Sequence, residues 1–113
     1  MVHELQANMP SIIQQLAADA LSHLAASSDQ NQAVIAAAGA IPPLVQLLAS
    51  ASTEYVRATA VGVLRQLTCN HPENQATIIA DGAIPALEHL LTSDSPDVRE
   101  AAAGALSELG AGP

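Results

Sequence analysis

The sequence predicts an all-α protein made of stacked copies of one helical unit. Residues 30–48 and 73–91 match at 12 of 19 positions at an offset of 43 residues, so the chain repeats itself. No segment shows the apolar-polar alternation of a strand. Instead, apolar residues recur at the three- and four-residue spacing of a buried helix face, as in Ile13, Leu16, Ala17, Ala20, Leu21 and Leu24.

The repeat divides the single predicted domain, residues 1–113, into three parts. Residues 1–26 hold the end of one copy, and residues 27–69 and 70–113 each hold a whole copy, about 2.6 copies in all. After the linker behind the second helix the offset falls to 42, so that Gly62 and Gly104 are equivalent. One residue lost from a linker leaves the helices in phase.

The sequence of each whole copy predicts three helices: a short first helix, a second helix and a long third helix. Gly39 and Gly82 end the first helices, because the residue behind a helix often needs a positive φ. Pro42 and Pro85 fit the first turn of the second helices, since proline lacks an amide proton. Ser95 is predicted to cap the last helix. The seven predicted helices are about 10–25, 29–37, 42–49, 54–68, 72–80, 85–92 and 96–109.

Composition and charge exclude several classes of partner. Half of the 113 residues are hydrophobic, but Tyr55 is the only aromatic one, so Ala, Leu, Ile and Val must form the core. Eleven acidic and three basic residues give a net charge of −8, which repels nucleic-acid phosphates and anionic lipids. Apolar runs fall far short of the roughly 20 residues of a membrane span. We therefore expect neither nucleic acid nor a membrane as partner.

The expected location is the cytoplasm, with the nucleus as the alternative. The single cysteine, Cys69, cannot form an internal disulfide, which fits a reducing compartment. The N-terminus shows no basic stretch followed by an apolar segment, as a secretory signal would.

The repeat unit resembles the armadillo repeat. The residues that carry this resemblance recur in the next copy; in the first whole copy they are Asn31-Gln32-Ala33, Gly39-Ala40-Ile41-Pro42, Leu44, Leu47-Leu48, Val56-Arg57, Ala60 and Leu64. The resemblance covers nearly the whole chain. It implies a right-handed α-α superhelix, an armadillo solenoid, whose third helices line a concave groove. It also implies protein-protein interaction without catalysis and without a cofactor.

The resemblance implies which residues line that groove. Peptide-binding relatives often place a Trp and, four residues later, an Asn on each third helix. The matching pairs, preceded by the residue one turn earlier, are Gln15, Asp19 and His23; Ala58, Gly62 and Gln66; and Glu100, Gly104 and Glu108. No Trp or Asn is among them, although the Gln66 amide could imitate an Asn. These positions carry three acids and no lysine or arginine, so a basic segment is the expected ligand; the alternative is solvated helix faces.

Other groups of residues predict no catalytic or metal site. The histidines His3, His23, His71 and His89 lack the i, i+4 spacing of a helical zinc site. Cys69 lies at a predicted helix C-terminus, the wrong end of the dipole for stabilising a thiolate.

Two of the three basic residues, Arg57 and Arg99, occupy equivalent positions at the start of third helices. They could grip a ligand carboxylate, but we expect them to bond helix ends or acidic residues of adjacent helices. The third basic residue is Arg65.

Neither end of the predicted stack carries a dedicated polar cap. The helix at 10–25 lacks the preceding helices of its own copy, and little follows the helix at 96–109. We therefore expect homo-oligomers through exposed terminal helices, or a truncated or engineered array. The leading function is a non-catalytic scaffold that binds an extended, basic peptide or a partner protein. The alternative is a minimal repeat fragment that self-associates without a dedicated ligand.

Overall fold

The computed structural model describes residues 11–27, 29–50, 53–68 and 71–110. Within these ranges the chain forms seven helices and no strand, and each helix lies within two residues of its predicted bounds. The helices are α1 (Ser11–Ser27), α2 (Asp29–Ala37), α3 (Ile41–Ser50), α4 (Glu54–Thr68), α5 (Pro72–Ala80), α6 (Ala83–Leu90) and α7 (Pro96–Glu108).

The predicted stop and start signals act as expected. Gly39 and Gly82 have φ angles of 86° and 91°, the left-handed backbone conformation that lets each chain segment turn into the next helix. The Ser95 side chain accepts a hydrogen bond from the Val98 amide at 3.4 Å, which caps α7. These local signals explain why the helix boundaries could be read from the sequence.

Two glycine-to-alanine substitutions are expected to change stability in opposite directions. Gly62 lies inside α4, and a Cβ there would meet nothing within 4 Å. Gly62→Ala should therefore raise the free energy of unfolding by about 0.5–1 kcal/mol through helix propensity. Gly82→Ala should lower it by about 1–2 kcal/mol, because alanine is strained at that φ. Urea unfolding followed by circular dichroism measures both; changes of the same sign would contradict the prediction.

The third helices stack side by side, with α4 between α1 and α7. The second helices, α3 and α6, form a neighbouring row and pack against α4 and α7 respectively. Equivalent leucines align along the stack, since Leu21, Leu64 and Leu106 are each 3% exposed. The copies therefore share one continuous apolar seam, as the repeat predicts.

The predicted buried face of α1 is only partly correct. Ala17 and Leu21 are buried, but Leu16 is 58% exposed and Leu24 is 43% exposed. The equivalent of Leu24 in the next copy, Leu67, is fully buried. The apolar pattern predicts which residues a complete stack would bury, whereas this side of α1 is left uncovered.

Asparagine side chains join the end of each third helix to the first helix that follows it. The Asn31 amide donates to the Leu24 carbonyl at 3.0 Å, and in the next copy Asn74 donates to the Leu67 carbonyl at the same distance. Beside the first of these, the Gln32 amide donates to the Ala25 carbonyl at 2.9 Å. These bonds satisfy carbonyls at a helix C-terminus that have no partner inside the helix. The recurring Asn is thus a structural element of the repeat, whereas the Gln is not, since Gln75 donates to the Glu108 carbonyl at 3.3 Å.

No single helix within the described ranges is long and apolar enough to cross a membrane. By length and composition alone, the segments Gln30–Ala37 and Ile41–Ser50, bent by 78° from each other, could do so as a pair.

Candidate functional site

Two adjoining pockets open on the face formed by the third helices. The first, here named the α1–α4 pocket, has a volume of about 440 Å³, and the second, the α4–α7 pocket, has a volume of about 550 Å³. Both are lined by Gly62, so they meet at the middle of α4. We refer to the two pockets together as the groove.

Six of the nine predicted groove residues line these pockets. Asp19, His23 and Ala58 line the α1–α4 pocket, Gln66 and Glu108 line the α4–α7 pocket, and Gly62 lines both. The other three do not: Gly104 lies under a side chain that enters the α4–α7 pocket, the half-buried Gln15 lies on α1, and the exposed Glu100 lies on α7. The structure thus brings most of the predicted residues together on one surface.

The α1–α4 pocket carries an excess of negative charge. Asp19 and Asp97 line it together with Ser22, Tyr55 and Thr59, and no lysine or arginine is among its lining residues. Asp97 had not been predicted there, because it belongs to the first turn of α7. This pocket therefore suits a cationic side chain.

Tyr55 spans the boundary between the first two copies. Its hydroxyl donates to the Asp19 carboxylate at 2.8 Å, although 51% of the residue is exposed. The hydrogen bond to Asp19, assisted by partial burial and by the nearby negative charge, raises the pKa of the Tyr55 phenol above its ordinary value of 10.0. Ionisation of the phenol would remove this bond and place two negative charges side by side.

The titration of Tyr55 offers a direct test, because the chain has no other tyrosine and no tryptophan. In the folded protein, the midpoint of the rise in tyrosinate absorbance should lie above pH 10, and Asp19→Ala should bring the midpoint back towards that value. Since the folded-state pKa is raised, the bond stabilises the fold fully below pH 10 and is lost as the pH rises through the raised pKa. Equal midpoints for the unchanged protein, the variant and the urea-unfolded chain would contradict this account.

The α4–α7 pocket contains an ion pair between two copies. The Arg65 guanidinium donates to Glu108 Oε1 from Nε at 3.1 Å and from Nη2 at 2.8 Å. Gly104 makes room for it, since a Cβ at this position would lie 2.9 Å from Arg65 Cζ. On the sequence the groove positions carry no basic residue, but the structure brings Arg65 among them. Glu108 is therefore already paired, and this pocket is not a free acidic site.

The other two arginines lie at the opposite ends of α4 and α7 from this pocket. Arg57 forms an ion pair with Glu54, and Arg99 donates to the Ser93 carbonyl at 2.6 Å. The Ser93 hydroxyl donates to Glu54 at 2.6 Å. This hydrogen bond, followed by the effect of Arg57, lowers the pKa of Glu54. The expected bonds to helix ends or to acids of adjacent helices are therefore not what these arginines make: Arg57 pairs with an acid of its own helix, and Arg99 bonds a carbonyl of the linker between α6 and α7.

Arg65 and Tyr55 line the groove although they were not among the predicted groove residues, and they differ in whether the sequence contained a signal for them. Arg65 and Glu108 are 43 residues apart, about one repeat, so parallel third helices place these opposite charges side by side. That signal was available from the repeat register. Tyr55 reaches Asp19 across 36 residues, a separation that has no relation to the repeat.

Among the residues that the structure describes, no group of three or more His, Cys, Asp or Glu side chains is placed to hold a metal ion. Cys69 and His3 lie outside the described residues.

Comparison with known proteins agrees with the stacked architecture. The profile of the Armadillo/beta-catenin-like repeat matches residues 28–69 and 71–111. A computationally designed armadillo repeat protein for modular peptide recognition is 28% identical, with a TM-score of 0.88 over 99% of this chain. A designed armadillo repeat protein in complex with the peptide (KR)4 is 30% identical, with a TM-score of 0.85 over 95% of this chain.

An engineered protein that is 30% identical matches 99% of this chain with a TM-score of 0.88. This chain spans 46%, 44% and 44%, respectively, of the length of these three structures. Similarity to designed arrays agrees with the expectation of an engineered array. Comparison with curated proteins found no match.

Proposed function

Because the chain belongs to the armadillo-repeat family and folds as its right-handed α solenoid, we propose that this scaffold binds an extended, basic peptide in its groove. The family generally consists of non-catalytic scaffolds, so the question is which ligand the groove accepts. The observation that supports it most is that Asp19 and Asp97 both line the α1–α4 pocket, which has no lysine or arginine among its lining residues. The net charge of −8 further favours a cationic ligand.

The groove positions where peptide-binding relatives carry Trp and Asn hold other residues in this chain, which affects how a peptide could bind. Without an Asn amide to pair with the peptide backbone, recognition rests mainly on charge and on the Gln66 amide. Gln66 lines the α4–α7 pocket, and its Oε1 atom is buried without a hydrogen-bond partner among the described residues. A turn of the Gln66 side chain would bring this oxygen to the pocket, where a backbone amide of the ligand would supply the missing donor. The complex should therefore be weaker than one made through a full ladder of Trp and Asn.

Binding of a labelled (KR)4 peptide, followed by fluorescence anisotropy, tests the proposal. Asp19→Asn should weaken binding about threefold to fivefold, which is the range of one exposed charge contact. Asp81→Asn provides a matched control, because Asp81 is exposed on the turn behind α5 and lines neither groove pocket. Absence of binding, or an equal loss for Asp81→Asn, would argue against the groove as the site.

Self-association through the ends is the second candidate function. Ile12 and Leu16 are 57% and 58% exposed on α1. Their equivalents in the next copy, Tyr55 and Thr59, line the pocket against α1. The exposed pair therefore occupies the side on which a preceding copy would lie.

The other end of the stack is also uncovered. Leu91 is 41% exposed, whereas its equivalent Leu48 is buried and lines a pocket with residues of the last copy. The two ends thus expose the two halves of the internal boundary, which favours head-to-tail association of chains.

Light scattering over a concentration series tests this second candidate. A mass that grows with concentration, and that Leu16→Gln reduces to the monomer, would support it. A constant monomer mass at millimolar concentration would reject it. Ala38→Gln is the control and should leave the mass unchanged, because Ala38 and its equivalent Asp81 are both exposed and so lie outside the boundary between copies.

A further inference from the structure

We infer that Arg65 competes with the basic side chains of a ligand for Glu108 and thereby limits the affinity of the groove for basic peptides. This inference rests on the proposed function. It concerns one interaction, the ion pair that closes the α4–α7 pocket from within the chain.

The geometry of the ion pair is that of a bound arginine side chain. Two nitrogens of the Arg65 guanidinium donate to one Glu108 oxygen, at 3.1 and 2.8 Å. Thr68 Oγ1 lies 3.5 Å from the second carboxylate oxygen. A guanidinium from a ligand would present the same donors to the same carboxylate.

The backbone of α7 provides the floor of this site. At Gly104 a Cβ would lie 2.9 Å from Arg65 Cζ, so the absence of a side chain is what admits the guanidinium. At the equivalent Gly62 a Cβ would meet nothing within 4 Å. The close approach is therefore particular to the last copy and is not a general feature of the repeat.

The ion pair is also accessible to exchange. The side chains of Arg65 and Glu108 are 40% and 41% exposed, and pairs with such exposure are held weakly. A basic ligand side chain can therefore displace Arg65 into solvent, at a cost in affinity equal to the strength of the internal pair. If Arg65 only braced α4 against α7, its removal would instead loosen the groove and weaken binding.

These two roles predict opposite signs, and affinity for a labelled (KR)4 peptide distinguishes them. Arg65→Gln should raise affinity about fivefold relative to Arg57→Gln, which removes the same charge outside the groove pockets. Gly104→Ala should raise affinity about twofold without any change of net charge, because the new methyl group displaces the guanidinium. Ser107→Ala, an exposed site on α7 that lines neither groove pocket, is its control and should leave affinity unchanged.

Each outcome decides the inference. Higher affinity in both Arg65→Gln and Gly104→Ala supports it. Lower or equal affinity in Arg65→Gln, with binding by the unchanged protein, overturns it and leaves the proposed function intact. If no variant binds the peptide, both are rejected. Should Arg65→Gln fail to fold by circular dichroism, Gly104→Ala still decides, since alanine favours the helix.

Discussion

Leu48→Ala is expected to lower the free energy of unfolding by about 3 kcal/mol, whereas Leu91→Ala should cost about 1 kcal/mol or less. The two leucines are equivalent residues in consecutive copies. Leu48 is 0% exposed and lies against residues of the last copy, whereas Leu91 is 41% exposed. The difference between the two effects therefore measures what a neighbouring copy contributes at this position.

Urea unfolding and thermal melts measure both leucine variants. A loss of about 3 kcal/mol corresponds to a melting temperature at least about 10 °C lower in a protein of this size. Equal losses for the two variants would mean that Leu91 is also covered in solution. Repetition at low protein concentration then separates coverage by a second chain from coverage within one chain.

Ala60→Leu is the second substitution with a large expected effect, again about 3 kcal/mol. Ala60 is fully buried in α4, the helix that packs against α1 on one side and α7 on the other. The equivalent residues, Ala17 and Ala102, are also alanines and are also buried. A leucine needs space for three more carbon atoms, so the third helices would have to move apart.

Ala103→Leu serves as the matched control for Ala60→Leu. Ala103 is exposed on α7, and the same change there should alter stability by less than about 0.5 kcal/mol. If Ala60→Leu unfolds in urea like the unchanged protein, the spacing of the third helices is not set by alanine.

The sequence predicts the helices well because each boundary depends on nearby residues. Gly39 and Gly82 stop helices, and Ser95 starts one, without any contribution from the rest of the fold. Burial is harder to predict, as α1 shows. Leu16 and Leu24 fit the apolar pattern but are exposed, because burial also requires a neighbouring helix that covers them.

The location of the groove could be predicted from the sequence, but the charge of the side chains that fill it could not. The repeat register places residues such as Gly62 and Gln66 on the surface of the third helices, where the pockets lie. It does not show how far a long side chain extends. Arg65 reaches Glu108, and Tyr55 reaches Asp19, because flexible or large side chains cross the space between helices. A prediction based on aligned positions therefore overestimated the free acidic charge.

The ion pair between Arg65 and Glu108 crosses the boundary between α4 and α7. Arg57 and Arg99 bond within their own copies, and the hydrogen bond from Ser93 to Glu54 links these two sites across the same boundary. The boundary between α1 and α4 depends instead on apolar packing and on the Tyr55 hydrogen bond. Raising the ionic strength screens the first kind of contact much more than the second. Added salt should therefore weaken the attachment of the C-terminal copy more than that of the N-terminal one, so that local unfolding begins at the C-terminal copy.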